Sequence, residues 1–123
     1  RLTLVPGVPK REVPRYFAAG DIFLNTTDAD NTPVSVLEAM ASGMCVVSTS
    51  VGGIPYMLAH EHDALLVPPR DPAAMSAAIS RIIAEPALAA RLSANAREHA
   101  AARDWSHVVP QWEALFTEVA SRA

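Results

Sequence analysis

Short apolar runs that alternate with helix-like segments constrain the fold of this chain most strongly. These runs cover residues Leu2–Val5, Asp21–Leu24, Cys45–Ser48 and Ala64–Val67. Nearly continuous apolar character is typical of strands buried on both faces, and strands that alternate with helices indicate a parallel sheet. We therefore predict one α/β domain over residues 1–123, with about four parallel strands and helices on both faces of the sheet.

The clearest helix prediction runs from Pro33 to about Ser42. Thr32 has a side chain suited to the N-cap, Pro33 stands at the favoured first position, and Gly43 ends the segment. Apolar residues surround most of this helix, so we expect it to pack between other elements. Its one charged residue, Glu38, then needs an explanation.

The chain beyond Val67 is predicted to be helical to its end. Apolar residues recur at helical spacing in three successive segments. The last segment carries a stripe that we interpret as core or as a docking surface, formed by Val108, Trp112, Leu115, Phe116 and Val119.

Composition excludes several classes of protein. A formal net charge of −3 argues against a nucleic-acid partner. Cys45 is the only cysteine, which excludes a disulfide scaffold; we expect a packed thiol and a cytoplasmic, reducing location. No apolar run approaches the ~20 residues of a transmembrane helix. Because Arg1 is not an initiator methionine and Leu2–Val5 already has strand character, we expect the chain to begin inside a fold, as a fragment.

The segment from Asn25 to Gly43 carries the functional hypothesis. A polar loop follows the second apolar run and leads into the helix that begins near Pro33. Ligands of open α/β sheets bind at the carboxyl ends of the strands, where a helix N-terminus offers free amides to phosphate. Asp30 and Glu38 would flank such a ligand and accept hydrogen bonds from sugar hydroxyls, which is the chemistry of a sugar nucleotide. Two simpler interpretations stay open: Asp30 as a turn residue, and Glu38 as a surface carboxylate paired with Lys or Arg.

Residues 30–43, DNTPVSVLEAMASG, followed by VVSTSVGGIP and LLVPPRDPAAM, resemble the retaining family 4 glycosyltransferases of the GT-B class. That family has two acidic residues eight positions apart, then E-A-M-A-x-G, an apolar strand and G-G-x-P. The resemblance covers essentially the whole chain. It implies a partial Rossmann-like domain that binds a nucleotide-diphospho sugar, of UDP or GDP type, with no metal or other cofactor.

The resemblance also implies roles for individual residues. Asp30 matches the catalytic acidic residue that contacts the donor sugar near the reacting carbon, and Glu38 matches the residue that binds the ribose hydroxyls. Gly7 and Val8 match a loop that lies against the base. The turn that holds the diphosphate and the sugar through its amides is matched by Asn31, Thr32, Val34 and Ser35.

Four positions depart from the family pattern. Asp30 replaces a usual Glu, Pro33 a usual Gly, Cys45 a common Pro and Tyr56 a common Glu. Pro33 has no amide to donate. These departures indicate either a subfamily with its own sugar preference or decay of the function.

The parts of the family that this chain lacks lead to a prediction about activity. An upstream Arg and Lys that clamp the phosphates, and the N-terminal acceptor domain, have no counterpart here; Lys10, Arg11 and Arg15 lie elsewhere. We therefore expect a hexosyltransferase-type fragment that is inactive alone. The alternative is a non-catalytic module that forms a homodimer through its truncated edge. For the full-length protein, peripheral association with a membrane is an alternative to a purely cytoplasmic location.

Two further motifs have competing interpretations. Gly52-Gly53 is either a tight turn or a loop that closes on the donor. His60 to Asp63 has several metal-ligand types, but their spacing is wrong for a metal site and favours a turn before the next strand. A phosphate-sensing flavodoxin-like domain is disfavoured, because the expected acidic cluster at the first strand end is lacking.

Overall fold

The computed structural model describes residues 2–122 and contains a three-stranded parallel sheet. Strands β1 (Ile22–Asn25), β2 (Cys45–Thr49) and β3 (Ala64–Val67) lie in that order. In the register of the sheet, Ile22 of β1 lies opposite Cys45 of β2, and Val46 of β2 lies opposite Ala64 of β3. The predicted α/β class with a parallel sheet is confirmed.

The prediction of a strand at Leu2–Val5 is wrong. This segment has no regular secondary structure, and Leu2 and Leu4 are 84% and 85% exposed. A strand needs a neighbouring strand to satisfy its backbone N–H and C=O groups. Within residues 2–122 the edge strand β1 pairs only with β2. The sheet therefore has three strands and not about four. An apolar run indicates that its residues can be buried, but it does not indicate that a neighbouring strand is present to pair with it.

Six α-helices surround or extend from the sheet within the described residues. A short 3₁₀ turn, Lys10–Glu12, precedes the first helix. The helices are α1 (Val13–Ala18), α2 (Val34–Ala41), α3 (Ile54–Met57), α4 (Pro72–Ala84), α5 (Pro86–Ala101) and α6 (Trp105–Ser121).

The two faces of the sheet bury separate hydrophobic clusters. Val46 points into a cluster with Val36 and Met40 of α2, whereas its neighbour Val47 packs with Ile82 of α4 on the opposite face. This alternation follows from the pleat of β2, all five residues of which are buried. Helix α5 contributes to both clusters, with Leu92 on the α4 side and Ala96 on the α2 side.

The predicted helix at residues 33–42 is observed as α2, with a corrected N-terminus. Pro33 and not Thr32 is the N-cap, and it gives the helix no side-chain cap. The fixed φ of Pro33 suits a helix, but its ψ of 110° is extended, so the helix begins at Val34. The C-terminus is as predicted: Gly43 has a φ of +80°, and Met44 N–H donates to the Ala39 carbonyl at 3.1 Å. This is a Schellman motif, which favours glycine at the left-handed position.

Helix α6 packs differently from the rest of the molecule. None of its residues is buried, and Trp112 and Phe116 are 51% and 63% exposed. The apolar stripe is therefore not part of the core of residues 2–122, which leaves the docking-surface interpretation. No single helix in this part of the chain is long and apolar enough to cross a membrane; α4 and α5 reach that length and composition only as a pair bent by 103°.

Candidate functional site

The carboxyl ends of the three strands carry the candidate site. The β1–α2 loop (residues 26–33) follows β1, and a turn of residues 50–53, here called the Gly-Gly turn, follows β2. The segment of residues 68–71 follows β3. Because parallel strands end at the same edge of a sheet, these segments meet there, which is where open α/β sheets bind ligands.

The N-terminus of α2 is uncapped at this edge. Among residues 2–122, the amides of Val34 and Ser35 donate to no acceptor, and the first amide to find one is Val36, which donates to the Pro33 carbonyl at 3.1 Å. Helix α4, by contrast, is capped by the Asp71 carboxylate, which accepts from the Ala74 amide at 2.8 Å. Two free amides and the positive end of the helix dipole are suited to an anion such as phosphate.

The two predicted carboxylates have no protein partner in the part of the chain that the structure describes. Neither the Asp30 nor the Glu38 side chain makes a hydrogen bond or an ion pair there. Glu38 is half-buried and lines a cavity of about 390 Å³, together with Arg97, Arg103 and Trp105. The predicted alternative, a Glu38 side chain engaged by a neighbouring Lys or Arg, is not what the structure shows.

The predicted site residues do not share a single cavity. Asn31, Thr32, Val34 and Ser35 are exposed around the start of α2, on the surface. Glu38 faces the cavity beside α5, whereas Gly7 and Val8 line a separate cavity of about 450 Å³. The other residues that line this second cavity are Val5, Pro6, Val13, Tyr16, Phe17, Phe23 and Met44. A further cavity of about 430 Å³ lies between the β1–α2 loop and α4, and contains none of the predicted donor-binding residues.

Several contacts at the carboxyl edge have no simple signal in the sequence. Arg70, which has a φ of +58°, donates through Nε to the Asp28 carboxylate at 3.1 Å and so links the segment after β3 to the β1–α2 loop. Thr49, which is buried, donates through Oγ1 to the Thr27 carbonyl at 2.6 Å. The only sequence signal for Thr49 is a polar residue at the end of an otherwise apolar strand.

The segment from His60 to Asp63 forms a turn that leads into β3, as predicted. His60 Nδ1 accepts a hydrogen bond from the Leu66 amide, and the buried Asp63 carboxylate contacts Nδ1 of His99 at 2.7 Å. The hydrogen bond from Arg81 lowers the pKa of the Glu61 carboxyl below its ordinary value. Residues 2–122 hold no group of three His, Cys, Asp or Glu side chains that could bind a metal.

Cys45 is a packed thiol, as predicted. Its side chain is buried at the start of β2, and Sγ donates to the Ala89 carbonyl at 3.3 Å. Burial, with a smaller contribution from the Asp21 charge, raises the pKa of this thiol. The thiol therefore links the sheet to α5 and lies away from the candidate site.

Within residues 2–122, fold and site define a class: an α/β domain whose parallel sheet has at its carboxyl edge an uncapped helix N-terminus, preceded by the unpartnered Asp30 carboxylate. Residues 1–85 match the family described as "Glycosyl transferases group 1". The chain belongs to this family, and its fold is the Rossmann-like arrangement of GT-B glycosyltransferases.

Two relatives illustrate the range of the similarity. The chain is 37% identical over 100 residues to an exopolysaccharide phosphotransferase from Streptomyces coelicolor, covering 80% of this chain and 11% of that protein. It is 33% identical over 119 residues to a D-inositol 3-phosphate glycosyltransferase from Geodermatophilus obscurus, covering 97% of this chain and 26% of that protein.

Two solved structures show the same fold. A sucrose-phosphate synthase from Thermosynechococcus elongatus superimposes with a TM-score of 0.87 at 30% identity, over 98% of this chain and 31% of that one. The Anabaena protein HepE, solved with UDP-glucose, superimposes with a TM-score of 0.76 at 24% identity, over 88% of this chain and 30% of that one. The chain thus spans less than a third of the length of each of these four proteins.

Proposed function

We propose that this chain is part of the donor-binding domain of a family 4 retaining glycosyltransferase, and that its donor is a nucleotide-diphospho sugar of UDP or GDP type. The observation that carries the proposal is the uncapped start of α2: within residues 2–122 it has two free amides, which stand in the sequence between two carboxylates without a protein partner. Membership of the glycosyl transferase family and the binding of UDP-glucose by a structural neighbour support it.

The diphosphate is the part of the donor that suits the α2 N-terminus. Transfer of the sugar leaves negative charge on the diphosphate, and preorganised amides such as those of Val34 and Ser35 stabilise such charge as it develops. The helix dipole acts in the same direction. Pro33 contributes no amide, so Asn31 and Thr32 are the remaining donors of the turn. This mode of stabilisation requires no metal ion.

The carboxylates suit the sugar hydroxyls. Asp30 immediately precedes the turn, and we assign it to the donor sugar near the reacting carbon, where a carboxylate also stabilises oxocarbenium-like charge. Glu38 lies about a turn and a half inside α2, and we assign it to the ribose hydroxyls. Gly7 and Val8 are assigned to the base, in the cavity that they line on the α1 side.

The isolated chain is expected to bind donor without turning it over. Positioning of an acceptor and basic side chains around the diphosphate supply much of the rate in glycosyl transfer, and the N-terminal acceptor domain would provide the first of these. Turnover of any sugar nucleotide by the purified chain would contradict this expectation. The cytoplasmic location, with peripheral membrane association of a longer protein as its alternative, stays a prediction.

A thermal-shift panel with UDP, GDP, ADP and their glucose conjugates tests the proposal. Ligand at a hundred times its dissociation constant adds ~2.7 kcal/mol of stability, or about 10 °C for a domain of this size. Glu38→Gln keeps the shape and helix propensity of the side chain but removes its charge. Loss of charged hydrogen bonds costs about 1.5–3 kcal/mol of affinity, so the shift should fall to about 5 °C or less.

Glu113→Gln is the matched control, because Glu113 is an exposed helical glutamate on α6. Its ligand-induced shift should equal that of the unmodified chain. Equal thermal shifts in both variants would show that Glu38 does not bind the donor. The absence of a thermal shift with every nucleotide would count against donor binding by this chain.

The second candidate function is a self-associating module. It is favoured by the exposed apolar side chains of α6, including Trp112 and Phe116, and by the edge of β1 that pairs with no other strand within residues 2–122. Sedimentation velocity discriminates: a homodimer that dissociates in Trp112→Gln would support this candidate, and a strictly monomeric chain would refute it.

A further inference from the structure

The β1–α2 loop is held in place by the end of β2 and the Gly-Gly turn, and not by secondary structure of its own. No residue from 26 to 33 belongs to a helix or strand. Thr49 Oγ1 donates to the Thr27 carbonyl at 2.6 Å, and Gly53 N–H donates to the Asp30 carbonyl at 2.9 Å. Two hydrogen bonds from one neighbouring segment thus fix the loop near its beginning and at its middle.

Gly52 and Gly53 allow this close approach. A Cβ added at Gly52 would meet the Asp30 carbonyl oxygen, and one added at Gly53 would meet that of Asn31. Both separations would be far below 3.0 Å, a limit that real Cβ atoms essentially never cross. The obstacles are backbone atoms, which cannot swing aside as a flexible side chain does. Gly52 also has a φ of +53°, which favours glycine.

The Gly-Gly turn contacts Asp30 and Asn31 through their backbone and not through their side chains. The Asp30 carbonyl accepts a hydrogen bond from the turn, and the Asn31 carbonyl lies close to Gly53. The Asp30 carboxylate has no partner among residues 2–122. A ligand-binding group that is fixed by its backbone keeps its side chain available while it loses little entropy on binding. A turn that served only to reverse the chain would not need to contact this loop.

We propose that Thr49, Gly52 and Gly53 are positioning residues, which set the geometry of Asp30 and Asn31 ahead of the α2 N-terminus. The identity of the ligand rests on the proposed function, whereas the inference that the loop is held in place does not. The Gly-Gly turn contacts the β1–α2 loop through backbone atoms, which is the arrangement expected of a support for that loop.

Amide hydrogen exchange of the ligand-free chain tests whether the loop is held. Thr49→Val preserves the branched shape but removes the hydroxyl, and Thr49→Ser preserves the hydroxyl. We expect Gly53 N–H to exchange about five- to tenfold faster in Thr49→Val, since one hydrogen bond is lost, and to return to the original rate in Thr49→Ser. The amide of Leu92, inside α5, should be unaffected.

Two results would overturn the proposal. Unchanged exchange at Gly53 in Thr49→Val would mean that Thr49 does not hold the loop. Equal acceleration at Gly53 and Leu92 would mean that Thr49 stabilises the whole domain.

Binding of UDP-glucose and GDP-glucose tests whether the support matters for the ligand. We expect Thr49→Val to weaken binding about tenfold and Thr49→Ser to bind as the unmodified chain does. A loosened loop with unchanged affinity would overturn the positioning role. If the unmodified chain binds neither compound, the proposed function fails for this chain, and the exchange measurement still decides whether the loop is held.

Gly53→Ala extends the test to the glycines. A Cβ at this position would meet the Asn31 backbone, so the folded variant should lose the thermal shift that UDP-glucose or GDP-glucose causes in the unmodified chain. An unchanged thermal shift in the folded variant would refute the role of Gly53; if Gly53→Ala does not fold, the Thr49 pair decides.

Discussion

Truncation of two helical leucines, Leu92→Ala and Leu115→Ala, compares the packing of α5 with that of α6. Leu92 is fully buried between α5 and the α4 face of the sheet, whereas Leu115 is 47% exposed on a helix that has no buried residue. Removing a buried leucine side chain costs about 2–5 kcal/mol, through lost transfer energy and the cavity left behind. We expect about 3 kcal/mol at Leu92, and at Leu115 only about 0.5 kcal/mol or less.

These free energies convert into clearly different melting temperatures. An unfolding entropy of about 2.1 cal/mol/K per residue gives roughly 0.26 kcal/mol/K for 123 residues. Leu92→Ala should therefore lower Tm by about 12 °C and Leu115→Ala by about 2 °C or less. Calorimetry at two protein concentrations provides the assay. A decrease below about 3 °C for Leu92→Ala, or equal decreases for the two variants, would refute this reasoning; the second result would place α6 in a packed interface.

Three further predictions concern the cap, the turn and the thiol. Asp71→Ala should lower the free energy of unfolding by about 1 kcal/mol in urea titrations, because the Ala74 amide loses its acceptor, while Asp71→Asn should be nearly neutral. Gly43→Ala should cost about 1–2 kcal/mol in the same assay, because a left-handed φ is forced on alanine, and an unchanged midpoint would contradict the Schellman assignment. Cys45 should react slowly with a thiol reagent at pH 8, because burial raises its pKa and lowers the thiolate fraction, and the reaction should accelerate in urea; fast native labelling would contradict its packing.

Local signals in the sequence were sufficient for β3 and for the end of α2. Ala64–Val67 is a strand with the predicted bounds, and Gly43 ends α2 as predicted. Both features depend on neighbouring residues: a buried apolar run, and a glycine after a helical pattern. The error at Leu2–Val5 has the opposite origin, because a strand depends on a partner that its own residues do not specify.

The candidate site was predictable in kind but not in geometry. The start of α2 after β1 could be predicted because a helix start after a strand is a local pattern, whereas the roles of Asp30 and Glu38 stay predictions. The separation of Glu38 and Gly7 into different cavities could not be predicted, because cavities are formed by residues that are distant in the sequence. The support that Thr49 gives to Thr27 likewise joins residues 22 positions apart.

The most direct test of the donor site is an NMR titration of the ¹⁵N-labelled chain with UDP-glucose and, separately, with GDP-glucose. If the α2 N-terminus holds the diphosphate, the amide resonances of Val34 and Ser35 should shift most, and should saturate at the same ligand concentration as those of residues near Glu38. Resonances of α6 should not move. Saturable shifts confined to other parts of the chain, or no shifts with either compound, would contradict the account.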